Sequence, residues 1–165
     1  MYLGDLKWYS VTSALVTTVY AALTSKPDRY GVVPGVIPWD ACDCGMLAGT
    51  VNMTFLSEVF PEQQTGVVGN CTAPWEVSEI VLQIIRCAPV SEINGKPPTV
   101  QAQDACARLV RQDAAQTLQS VSQKLCAMKD ANEIIDSVMT SQLIRGPEGG
   151  CVGTELRVMV GLPRG

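Results

Sequence analysis

The chain has 165 residues, with seven cysteines, no histidine and a formal net charge of −4. The negative charge argues against a surface for nucleic acid or anionic lipid, and the lack of histidine excludes Ser-His-Asp and Cys-His catalysis and histidine-bound metals. Charged residues make up 17% of the chain, against roughly 25% in typical soluble domains, so we expect some apolar surface to be buried against other copies or partners.

The first predicted element is an amphipathic helix over residues 5–25. Its apolar residues recur at helical spacing from Val11 to Leu23, and Pro27 ends the pattern. The longest apolar run of this segment is too short and too polar to span a bilayer, and no basic segment precedes it as in a signal peptide. We therefore expect no membrane segment and no export. The Pro- and Gly-containing stretch 32–40 predicts an extended connector.

Two strands are predicted after the connector. In residues 46–56, apolar side chains alternate with more polar ones, which is typical of a half-buried strand. The side chains expected on one face of this first strand are Leu47, Gly49, Val51, Met53 and Phe55. Residues 75–87 are apolar on both faces, which indicates a central strand covered on both sides. The sequence NGKPP after this second strand marks a turn.

A long helix and a hairpin complete the chain. Thr99 is the predicted N-cap of the helix, and an apolar stripe at three- and four-residue steps runs to about Lys129, interrupted only by Asp113. The end of the chain predicts a hairpin with arms at residues 137–145 and 152–162, joined by GPEGG.

Together these elements predict one domain over residues 1–165. Its parts are an N-terminal helix (1–30), a connector with long strands (31–98), a long helix (99–130) and a C-terminal hairpin (131–165). The predicted fold class is α+β, with a mainly antiparallel sheet of about four strands covered by two helices, one of them long.

The spacing of the cysteines argues against a metal or redox enzyme. Zinc sites with four cysteines normally have two close pairs, whereas only Cys42 and Cys44 are close here, in a C-x-C pattern. A zinc site of these two with Cys71 and Cys87 stays an alternative. The odd number of cysteines predicts mostly reduced thiols, with one pairing left open, between Cys42 or Cys44 and Cys71. We predict no catalytic residue, no cofactor and no bound metal.

Four linked segments carry a resemblance to a known family. They are WDACDCGML (39–47), FPE (60–62), WEVSEIVLQIIRCAP (75–89) and RGPEGGCVGTELRVMVGL (145–162). Over residues 32–162 this combination resembles the tail terminators of actinobacterial, mycobacteriophage-like siphophages, which are small head–tail joining proteins.

The resemblance implies a structural protein of the virion, not an enzyme, that is assembled in the bacterial host cytoplasm. Its copies would form a ring, expected to be a hexamer, which caps the tube of the major tail protein, stops its polymerisation and docks the tail to the head connector or stopper. Phage DNA would pass through the lumen without sequence-specific binding. A head–tail stopper or adaptor of the same joint is one alternative, and a small cysteine-rich metal-binding module is an alternative of a different class.

A cyclic ring needs heterologous contacts, in which one face of each copy meets a different face of the next. The strand that is apolar on both faces is a candidate for this contact. Its predicted interface residues are Val77, Val81 and Ile85, and Glu148 in the turn of the hairpin is the fourth.

Overall fold

The computed structural model of the chain describes residues 4–41, 43–63 and 73–163. Its elements in chain order are α1 (Gly4–Ala22), β1 (Arg29–Val32), a short 3-10 helix (Trp39–Ala41), β2 (Met46–Ser57), β3 (Trp75–Cys87), α2 (Val100–Asp130), β4 (Asp136–Glu148) and β5 (Cys151–Pro163). The predicted α+β class and the long second helix are confirmed. Within the described ranges the sheet has five strands instead of about four. The additional strand is β1, which was not predicted because its four residues are too few to give a periodic signal in the sequence.

The five strands form one sheet in the order β1-β2-β3-β5-β4. β1 runs parallel to β2, and every other neighbouring pair is antiparallel. β3 is the central strand, so that Val81 lies between Thr50 of β2 and Arg157 of β5. The hairpin of β4 and β5 has the predicted position, and its turn contains Gly149 and Gly150.

A β-bulge changes the face of β2 half way along the strand. Val51 and Met53 pair with successive residues of β3, so one extra residue, Asn52, lies between them. Because successive residues of a strand point to opposite faces, the bulge turns Met53 away from the side of Val51. The predicted single face for residues 46–56 is therefore wrong beyond Val51.

Both helices pack on one face of the sheet, which we call the inner face. Their apolar residues meet those of β2, β3 and β5 in the main core. Fully buried side chains of this core include Leu15, Val16, Val19, Leu47, Ile80, Leu82, Ile84 and Leu156. α2 begins at its predicted N-cap, where the Thr99 hydroxyl accepts a hydrogen bond from the N–H of Ala102 at 3.1 Å. In the part of the chain that the structure describes, no helix is both long enough and apolar enough to cross a membrane.

A buried ion pair joins the helices to the end of β3. Asp113, which interrupts the predicted apolar stripe, is only 1% exposed and accepts hydrogen bonds from Arg86 Nε at 2.8 Å and Nη2 at 2.9 Å. Arg86 Nη2 also donates to the carbonyl oxygen of Ser25 at 2.7 Å. Asp113 is part of the core because its charge is paired there, and the pair connects α2, β3 and the segment after α1.

The opposite face of the sheet, which we call the outer face, is covered at one end by the connector. Gln83 binds the backbone of Ile37 twice, donating to its carbonyl oxygen at 2.9 Å and accepting from its N–H at 2.8 Å. Further along, Trp39 packs in a small cluster with Ile85 and Cys151. The predicted connector therefore crosses the sheet and closes one end of its outer face.

Candidate interaction surface

The structure places the predicted interface residues in two different environments. Val77, Val81 and Ile85 are fully buried within the chain, because β3 has a neighbouring strand on each side and is enclosed on both faces. Glu148 is exposed at the end of β4. The prediction that β3 supplies the interface is therefore wrong, since these three side chains are core residues and offer no surface to a neighbour.

A buried polar network lies in the middle of the outer face, beside the connector. Glu79 of β3 and Glu155 of β5 are both buried. Arg157 joins them by donating from Nη1 to Glu79 at 3.2 Å and from Nε to Glu155 at 2.9 Å. Asn52 donates to Glu79 at 2.5 Å, and Gln83 donates to Glu155 at 3.3 Å. Both carboxylates thus have the partners that a buried charge requires.

Of the three charged groups in this network, the guanidinium is the one that reaches the surface. The side chain of Arg157 is 30% exposed, whereas those of Glu79 and Glu155 are nearly inaccessible. Burial by itself lowers the pKa of Arg157, but the hydrogen bonds and charges of Glu155 and Glu79 outweigh burial, so its pKa lies above the ordinary value. The network therefore presents a fixed, partly exposed cation on the outer face.

Apolar side chains lie on the same face of the sheet as this cation. The register places Val138 of β4 beside Met159 of β5, and Leu143 of β4 beside Glu155, all on the outer face. Val138, Leu143 and Met53 are exposed, and Met159 is half-buried. We call this surface the outer patch, and it consists of Met53, Val138, Leu143, Arg157 and Met159. Methionine and arginine with apolar neighbours are typical of protein interfaces, so the outer patch is a candidate interaction surface.

The outer patch borders a free edge of the sheet. β4 has 13 residues and, among the described strands, pairs only with β5. Its other side therefore offers backbone N–H and C=O groups to a partner strand. The register of β4 shifts between Met139 and Ser141 and again between Arg145 and Glu148, which divides the regular part of this edge into residues 136–139 and 141–145. A partner strand would pair with one of these two short stretches.

The cysteines are arranged differently from the prediction. Cys44 forms a disulfide with Cys87, with their Cα atoms 5.0 Å apart, and not with Cys71. A pairing of Cys42 with Cys71 lies outside the described residues. Cys151 is also disulfide-bonded, so the expectation of mostly reduced thiols is wrong for Cys44, Cys87 and Cys151.

The disulfide also bears on the alternative zinc site. Zinc binds free thiolates, so a site that includes Cys44 and Cys87 is incompatible with their bond. Within the described ranges, no group of three His, Cys, Asp or Glu side chains could hold a metal ion.

The sequence contains a signal for the polar network that the predictions did not use. Glu155 and Arg157 are two residues apart in an otherwise apolar strand, and so they share a face. Glu79 and Gln83 likewise share a face of the other central strand. Polar residues on one face of two buried strands indicate a paired network once the strands are known to be neighbours. That pairing, between β3 and β5, is what the sequence did not specify.

No protein-family model matches this chain, and no curated protein is significantly similar to it.

Proposed function

We propose that this chain is a structural protein of a siphophage head–tail joint, whose copies form a ring that caps the tail tube, stops its polymerisation and docks the tail to the head connector. One observation carries the proposal: segments that resemble tail terminators are distant in sequence but adjacent in the fold. WDACDCGML leads into β2, WEVSEIVLQIIRCAP forms β3, and the closing segment contains β5. Trp39, Ile85 and Cys151 come from these three segments and pack together. The resemblance thus covers one structural unit.

The fold has two unlike surfaces, which a capping protein requires. The outer patch and the edge of β4 form a strand-rich surface with exposed apolar side chains, and we assign this surface to the last ring of tube subunits. The inner face is closed by α1 and α2, so the same contact is not repeated on that side. Growth of the tube would stop because the ring matches the exposed tube end without presenting another such end.

The helical side of the subunit would then bind the head connector, and the ring, expected to be a hexamer, would surround the phage DNA. The formal net charge of −4 supports a lumen through which DNA moves without sticking, because like charges repel.

The disulfide between Cys44 and Cys87 is consistent with assembly in the host cytoplasm if it forms after the particle leaves the cell, because cytoplasmic thiols are kept reduced. The backbone holds the two cysteines together without the bond. Met46 pairs with Ile85, and the N–H of Gly45 donates to the carbonyl oxygen of Ile85 at 2.8 Å. The bond would then stabilise the mature virion.

Disruption of the gene in the phage that encodes this chain tests the proposal. We expect filled, tailless heads beside detached tubes of uncontrolled and often excessive length, and a plasmid copy of the gene should restore normal particles. Tails of normal length that fail to attach to heads would identify a stopper or adaptor of the same joint, and the terminator role would then be wrong.

Complementation with two variants tests the role of the outer patch. Leu143→Asp, in the patch, should leave tubes overlong. Leu118→Asp changes a similarly exposed leucine on α2 and should restore normal tube length. Equal tube lengths with both variants would exclude the outer patch as the surface that meets the tube.

A further inference from the structure

The loop between β3 and α2 carries an isoleucine at its tip whose side chain is fully exposed. Ile93 has a relative exposure of 110%, the highest value among the large apolar side chains that the structure describes, and Val90 in the same loop is also exposed. A single exposed apolar residue needs no explanation by itself. This one, however, is held in place and has a matching pocket elsewhere on the chain.

Hydrogen bonds within the loop hold Ile93 in a fixed position. Gly95 donates its N–H to the carbonyl oxygen of Glu92 at 2.8 Å, and Glu92 donates its N–H to the carbonyl oxygen of Lys96 at 3.0 Å. The side chain of Asn94 accepts from the N–H of Lys96 at 3.0 Å and donates to the carboxylate of Glu92 at 3.3 Å. The backbone of such a braced turn loses little conformational freedom when Ile93 binds.

An apolar pocket of about 350 Å³ lies at the other end of the molecule, between α1, the end of α2 and the end of β5. Val11, Met128 and Leu162 are buried and form its floor, whereas Lys7 and Glu133 are exposed at its rim. The pocket therefore has room for a branched apolar side chain, with one positive and one negative group beside it.

The positions of loop and pocket exclude a contact within one chain. The loop comes directly before α2, and the pocket lies at the other end of that helix. α2 has 31 residues and is therefore about 46 Å long. A contact between loop and pocket must join two copies through unlike surfaces, and contacts of this heterologous kind build rings.

We propose that Ile93 of one copy inserts into this pocket of the next copy, and that this contact joins the ring. The charges favour a second copy as the occupant: Glu92 and Lys96 flank Ile93, and Lys7 and Glu133 flank the pocket. In the docked pair, Glu92 faces Lys7 and Lys96 faces Glu133, which fixes the orientation of the loop. This inference rests on the ring of the proposed function.

Sedimentation of full-length variants at high protein concentration tests the contact. Ile93→Asp should weaken self-association by about tenfold to a hundredfold, because it loses a buried apolar side chain and puts a carboxylate into an apolar pocket. Leu118→Asp, on the middle of α2, is the matched control and should change association by less than about twofold. Thermal unfolding of Ile93→Asp should equal that of the wild type, since Ile93 is exposed within the chain.

Mixing two defective variants tests the direction of the contact. Ile93→Asp removes the apolar side chain of the loop and leaves the pocket intact. Ala14→Phe fills the pocket, which Ala14 lines, and leaves the loop intact. At a protein concentration where the wild type associates and the weakened contact does not form, each variant alone should be monomeric. An equimolar mixture should form dimers and nothing larger, because one intact loop enters one intact pocket and the remaining sites are both defective. Monomers only, or larger rings, in the mixture would overturn the inference.

A photo-reactive amino acid at position 93 identifies the protein that the loop contacts in assembled particles. A cross-link to the α1 segment of another copy is the expected result. A cross-link to the tube protein or the connector would overturn the inference. If Ile93→Asp forms rings as readily as the wild type does, the inferred contact is also overturned, and the proposed function stays intact. Particles whose wild-type subunit forms no ring would overturn both.

Discussion

The buried ion pair between Arg86 and Asp113 gives the sharpest prediction about the fold. Replacing Asp113 by Leu leaves the guanidinium of Arg86 buried, with only the carbonyl oxygen of Ser25 as a partner. Breaking a buried pair on one side costs about 3 to 5 kcal/mol, a large part of the roughly 5 to 15 kcal/mol by which domains are stable. We expect the midpoint of thermal unfolding to fall by about 10 °C.

The double variant Arg86→Met with Asp113→Leu separates the charge from the packing. Replacing both partners by apolar residues removes the unpaired charge. The free energy of unfolding of the double variant should therefore return to within about 1 to 2 kcal/mol of the wild-type value. The remaining loss comes from the Ser25 carbonyl, which then has no donor.

An exposed ion pair on the same helix is the matched control. Asp104 and Arg108 interact at 2.8 Å on the surface of α2, and Asp104→Ala should cost less than about 1 kcal/mol. Urea unfolding followed by circular dichroism measures these three variants and the single substitution Arg86→Met. A loss of unfolding free energy in Asp113→Leu no greater than in Asp104→Ala would contradict the role of the buried pair. So would a loss in the double variant equal to the sum of the losses in Arg86→Met and Asp113→Leu.

Three further predictions concern the cysteines and the central strand. At pH 8, iodoacetamide should modify Cys126, which is exposed, before Cys106, because burial raises the pKa of the Cys106 thiol and leaves less thiolate; equal rates by mass spectrometry would contradict this. Reduction of the disulfide between Cys44 and Cys87, which are 43 residues apart, should lower the free energy of unfolding by about 2 to 4 kcal/mol, and an unchanged urea midpoint under reducing conditions would count against the bond. Val81→Asp should unfold the subunit by circular dichroism, because it buries a carboxylate in the core; a folded monomer would instead restore Val81 as an interface residue.

Local signals in the sequence were sufficient for the order of the two helices and the four long strands. The Thr99 cap predicted the start of α2, and GPEGG predicted the hairpin of β4 and β5, since both depend on neighbouring residues. The strand 75–87 was also predicted as central, and β3 does have a neighbour on each side. Its apolar residues on both faces were explained by burial within one chain, and no partner was needed.

Features that depend on distant residues were not predictable from one sequence. The interruption of the α2 stripe by Asp113 was visible, but its partner Arg86 lies in β3, 27 residues away. The disulfide between Cys44 and Cys87 follows from the antiparallel pairing of β2 and β3, which periodicity alone does not specify. The bulge at Asn52 leaves no local signal either, and it is the reason that Met53 reaches the outer patch.

The central claim is that this protein ends the growth of a tail tube. Its most direct measurement is the length distribution of tubes, by electron microscopy, when purified major tail protein polymerises in the presence of increasing amounts of the purified chain. We expect the tubes to become shorter as the amount of added chain increases, each tube carrying one ring at its growing end. Tubes that reach the same lengths at every amount of added chain would contradict it.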